Sequence, residues 1–89
     1  MGAMNYLHKQ FIGGPRSVVT VELDRQANVF LLDAANYSAF RAGRRFRYHG
    51  GRAFESPCRL SPPHTGTWHV VVKPDVGARL RASISVLAA

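Results

Sequence analysis

Acidic residues are scarce in this chain: five Asp and Glu stand against twelve Lys and Arg in 89 residues, for a formal charge of +7. The five acids, Glu22, Asp24, Asp33, Glu55 and Asp75, fall mostly at turns or helix caps. Only Glu22 and Asp24 are two residues apart, and Asp24 falls in the turn at 24–28, which argues against a carboxylate dyad for acid–base catalysis. Cysteine is rarer still. Cys58 stands alone, which excludes an intrachain disulfide framework and fits a reducing compartment. Long apolar runs are missing as well: none approaches the roughly 18 residues that span a bilayer, and the first thirty residues lack the apolar core of a signal peptide. The expectation is a cytoplasmic protein with no membrane association. "MGA" at 1–3 reads as a cloning remnant before a native start at Met4, leaving 4–89 as a single domain.

What is present is period-two hydrophobicity. "SVVTVEL" (17–23) sets Val19, Val21 and Leu23 on one face and Thr20 and Glu22 on the other, the pattern of a half-buried strand. "NVFLLD" (28–33) and "TWHVVVK" (67–73) are apolar at successive positions, as central strands covered on both sides would be. "ARLRASISVL" (78–87) alternates, with Leu80, Ala82, Ile84 and Val86 inward and Arg79, Arg81, Ser83 and Ser85 outward. "NYLHKQF" (5–11) and "CRL" (58–60) add two shorter strands. The one helical segment is "DAANYSAFRAG", near 34–42, with Asp33 as cap, Tyr37 and Phe40 on one face and Gly43 as a left-handed stop. It is too short to persist unless it packs on the strands. Turn signals at 13–16, 24–28, 49–52, 61–66 and 73–77 separate these elements. No helix is long enough for a parallel crossover. The predicted fold is all-β: an antiparallel, jelly-roll-like β-sandwich of six to eight strands with one short helix.

The catalytic inventory is thin. Cys58, between Pro57 and the pair Pro62–Pro63, has no helix N-terminus to activate it and reads as apolar filling. His8, His49, His64 and His69 form no HxH, HxxxH or CxxC pair, so no metal site and no cofactor is expected. Trp68, in register with Val70 and Val72, is assigned to the core rather than to an exposed stacking patch.

The most charged stretch is "FRAGRRFRYHGGR" (40–52), which holds five arginines, three aromatics and three glycines. As a strand, "RRFRYH" turns Arg44, Phe46 and Tyr48 to one face and Arg45, Arg47 and His49 to the other. If Phe46 and Tyr48 enter the core, aromatics and charge part company, and the shared face that an RNA-binding sheet requires is absent. Gly50 and Gly51 are expected to form a hairpin turn. The stretch lacks the spaced glycines followed by Lys and Ser or Thr of a phosphate-binding loop. What remains is a solvent stripe of Arg45, Arg47 and His49, which joins Arg79 and Arg81 in one basic patch if the two strands are neighbours.

The ordered succession "NVFLLDAANYSAFRAGRRFRYHGG", "SPCRLSPPHTGTWHVVV" and "RLRASISVL" resembles the bacterial family catalogued as domain of unknown function 1883, from "MNYLHKQF" at Met4 to "SVL" at Leu87. The resemblance implies a compact cytoplasmic β-sandwich, sometimes joined to a TIR-type signalling domain, and implies no activity. A looser likeness, carried by "LLD", the "NY..F..G" helix-turn and "G-x-W-x-V-V-V", is to GOLD-like jelly-roll interaction modules, and implies a binding or adaptor role by analogy.

The functional expectation is therefore a noncatalytic module that engages a partner protein or an anionic ligand through Arg45, Arg47, His49, Arg79 and Arg81. Excess Arg suits bidentate contact with phosphate or carboxylate, although scattered arginines also serve solubility. The alternatives are a nonspecific nucleic-acid-binding protein and, last, a small hydrolase or nucleotide-processing enzyme using His8, His64 or His69. Exposed edge strands also make a homodimer an expectation.

Overall fold

The computed structural model describes residues 6–87, so the remnant expected at 1–3 lies outside the described residues. Seven strands and one helix follow one another: β1 (Leu7–Gly13), β2 (Val18–Leu23), β3 (Ala27–Asp33), α1 (Ala34–Arg41), β4 (His49–Ala53), β5 (Cys58–Leu60), β6 (Gly66–Lys73) and β7 (Ala82–Leu87). They form two antiparallel sheets, ordered β1-β6-β3-β4 and β5-β2-β7. The all-β sandwich expected from strand alternation is the fold observed.

Only β3 and β4 are neighbours both in sequence and in a sheet. Every other connection crosses from one sheet to the other, so the short turns are arches between layers rather than hairpins. The register across the larger sheet sets Phe11 beside Trp68 and Trp68 beside Asp33. It also sets Leu31 beside His49.

Alternation then divides the apolar residues between two cores. Val19 and Val21 from β2 meet Val29, Leu31, Trp68, Val70 and Val72 between the sheets. The opposite face of the larger sheet collects Phe30, Leu32 and Val71 beneath Phe40, with Tyr6, Tyr37 and Phe46 at its margin. The successive apolar residues of β3 and β6 are thus explained: each strand has one core on either side. Helix α1 is the lid of the second core. It starts where Asp33 caps it and ends before Gly43, whose φ of 71° is the left-handed stop.

Three local expectations are corrected. Gly50 and Gly51 make no hairpin turn; they lie inside β4, paired with Phe30 and Val29 at φ of 104° and 136°. A Cβ at Gly50 would strike the Val29 carbonyl oxygen and sit 3.3 Å from Leu60, so glycine is required for close approach within the sheet. "RRFRYH" is not a strand: β4 begins only at His49, because the chain leaving α1 must first return across the sheet. Likewise β7 begins at Ala82, so Arg79 and Arg81 precede the strand. No helix among the described residues is long and apolar enough to cross a membrane.

Candidate functional site

The site is built from the cap of α1. Asp33 Oδ1 accepts from the Asn36 backbone N–H at 2.8 Å and from Asn36 Nδ2 at 2.9 Å. Asn36 Oδ1 in turn accepts the Arg47 N–H at 2.7 Å. The helix start therefore pins the returning segment beside the ends of β3 and β6. Arg47 and His49 line a cleft of about 560 Å³ there, with Asp33, Asn36, Tyr48 and Trp68. Trp68 is 2% exposed and is fixed by a 3.0 Å hydrogen bond from its Nε1 to the His64 carbonyl. The His64 and His49 rings flank it at 5.0 and 5.9 Å.

Chemically, the cleft offers an arginine fork and an imidazole over a rigid aromatic base. That combination suits an anionic group. Arg45 is exposed on the same segment. Phe46 enters the core beneath α1, touching Phe30 and Phe40 with ring centroids 5.5 and 5.3 Å apart. Tyr48 does not follow it. Its ring leans on Phe30 at 4.6 Å but remains 48% exposed, because the segment is not a pleated strand that could turn both aromatics inward.

Arg79 and Arg81 lie elsewhere. They line a second pocket with Tyr6, Leu7, Pro74 and Leu80, at the β1 edge of the larger sheet, whereas His49 belongs to β4 at the opposite edge. Two strands intervene, so the edges are about 14 Å apart at the usual strand spacing. β4 and β7 are in different sheets, so the five basic residues form two groups rather than the single patch that neighbouring strands would have made.

A cluster that was not legible in the sequence lies under α1. His8 Nε2 and His69 Nδ1 are 2.8 Å apart, with ring centroids at 5.1 Å and planes within 13°. The two imidazoles are thus nearly edge to edge. Tyr37 covers both, stacked at 4.3 Å on each, and its hydroxyl meets that of Tyr6 at 3.2 Å. Burial, then the Arg41 charge, lowers the His8 pKa; burial, then His8, lowers that of His69 against an opposing pull from Asp33. Burial and the Tyr6 hydrogen bond push Tyr37 up to about 12. The facing ring nitrogens are occupied with each other. His64 packs on Trp68 at the inter-sheet core, on the opposite face from His69, so of the three histidines weighed for catalysis His8 and His69 meet and His64 stands apart.

Cys58 is half-buried against the inter-sheet core, and burial pushes its thiol pKa up, which disfavours the nucleophilic thiolate. Among the described residues no three His, Cys, Asp or Glu side chains are grouped to hold a metal ion. In comparisons with known proteins, the family model described as "Domain of unknown function (DUF1883)" matches residues 4–89. No curated protein and no solved structure matches.

Proposed function

This chain belongs to the DUF1883 family, a membership that brings no activity with it, and we propose that it is a noncatalytic binding module that holds an anionic group of a partner protein or ligand at Arg45, Arg47 and His49. The observation that supports this reading is the cleft beside the α1 cap, where Arg47 and His49 stand over buried Trp68. Its walls are set before any ligand arrives, because the Asp33–Asn36–Arg47 bonds fix the segment, and such preorganisation lowers the ordering cost of binding. Arg79 and Arg81, at the far edge, are outside this site.

The test is capture of partner from the native host with R45E/R47E beside R79E/R81E. The first pair should lose capture with thermal stability nearly unchanged, since both side chains are exposed. The second should retain it. Unchanged capture by R45E/R47E rejects the site. Trp68 is the single tryptophan, so its fluorescence reports directly on occupancy of the cleft.

Exposed Tyr48 favours one second reading, a single-stranded nucleic-acid binder, because it leaves an aromatic face beside Arg45 and Arg47 on which a base can stack. That reading requires affinity to fall with salt, with a log–log slope of about −0.7 per phosphate neutralised. Binding indifferent to salt would reject it.

A further inference from the structure

The cleft beside the α1 cap holds a carboxylate as well as a guanidinium and an imidazole. Strand register explains why. Leu31 is paired with His49 and Asp33 with Trp68, and Leu31 and Trp68 belong to the inter-sheet core, so His49 and Asp33 point to that side of the larger sheet too. Arg47 joins them from the segment that Asn36 anchors.

These three groups are not spent on one another. Asp33 Oδ1 takes both cap bonds, from the Asn36 N–H and from Nδ2, and among the described residues Oδ2 accepts none. The acids that meet arginine side chains lie elsewhere, Asp24 beside Arg25 and Asp75 on Arg52, and among the described residues no ion pair joins Asp33 to Arg47 or His49. Arg47 is tied only through its backbone N–H, and the His49 ring meets the edge of Trp68. A plain anion held by Arg47 and His49 would share the cleft with an unneutralised carboxylate. A ligand that also carries a cation would satisfy all three groups.

We propose, on the premise that this cleft binds an anion, that its ligand is a free α-amino acid, with the carboxylate on Arg47 and His49 and the ammonium on Asp33 Oδ2. The reach is short, because the Asn36 side chain alone bridges Asp33 to the Arg47 backbone through bonds of 2.9 and 2.7 Å. Opposite charges carried by one α-carbon suit such a span. Leu31 and Trp68 supply an apolar wall for the rest of the molecule. A nucleotide also joins an anion to hydrogen-bond donors, but a base would find only the Tyr48 ring to lie on, since Trp68 is 2% exposed and flanked by His49 and His64.

The closing experiment titrates the full chain with L-alanine, L-leucine and L-glutamate, each beside the acid that lacks its ammonium: propionate, isocaproate and glutarate. Trp68 fluorescence is the readout. At least one amino acid should bind about tenfold or more tighter than its counterpart, the difference that one charge-assisted hydrogen bond makes. D33N keeps an oxygen for the cap, and Asn caps a helix as well as Asp, so it should hold nearly the same Tm while the amino acid loses that advantage. R47Q should weaken both members of the pair together. Acids that bind as tightly as the amino acids, an unchanged ratio in D33N, or no binding by any of these compounds would overturn the inference. The anion reading stands or falls separately, on partner capture by R45E/R47E.

Discussion

Gly50 shows how much one missing side chain can decide. Its φ of 104° and the Val29 carbonyl in the path of any Cβ make the position intolerant of other residues. Gly50→Ala should cost on the order of 1–3 kcal/mol of strain, read as a lower denaturation midpoint with the denaturant m-value unchanged. Gly43→Ala isolates the conformational part of such a cost, because a Cβ there would meet nothing within 4 Å; it should cost less than Gly50→Ala. Trp68 is the counterpart on the buried side. Its truncation to Ala should cost about 3–5 kcal/mol, with a fall in Tm, since the indole closes the end of the inter-sheet core.

Helix α1 links the second core to the cleft. Asp33→Ala removes its cap and should lower stability by about 1 kcal/mol. It also loosens Asn36, and with it the anchored Arg47 N–H, so capture should weaken although no residue that grips the anion has changed. The underside of the helix carries the pH dependence. The groups facing the His8–His69 pair are Tyr37 and Arg41 from α1, Tyr6 before β1, and Asp33 from β3. Both imidazoles have folded pKa values below the unfolded 6.5. The unfolded chain therefore binds more protons below that value, and stability rises with pH there. The pair's contribution is complete above about 6.5 and is lost as pH falls from there through the lowered folded values. Denaturant titrations at pH 7.5 and pH 5 should show this loss in the wild type and a smaller one in H8Q/H69Q.

Across the molecule, topology and charge govern behaviour. Each larger-sheet neighbour pair except β3–β4 joins distant parts of the chain, as with Leu7 against Val72. Non-local pairing of this kind folds slowly, on the order of milliseconds to seconds, which stopped-flow refolding would check. Raising salt should weaken capture of an anion at Arg47, because screening reduces the attraction between guanidinium and anion. Capture measured across a salt series would check this.

The alternating and continuous apolar runs carried the fold class, the strand faces and the capped helix on their own, because side-chain direction follows backbone period and both are local properties. Val19, Val21, Trp68 and Phe40 point into cores for that reason, and they are buried. The larger sheet and its arches were beyond local information: a short turn is compatible with a hairpin or with a crossing between sheets, and only packing of the whole chain distinguishes them. The same limit explains the rest. Gly50 and Gly51 carry a turn's composition but sit where two backbones approach, and Tyr48 follows Phe46 by two yet lies outside a strand. His8 and His69 meet because β1 pairs with β6 at a register that brings residues 61 apart into hydrogen-bond contact. Arg47 and Arg79 separate because β4 and β1 are opposite edges. Residue order sets which way each side chain points, whereas the pairing of distant strands sets what it meets.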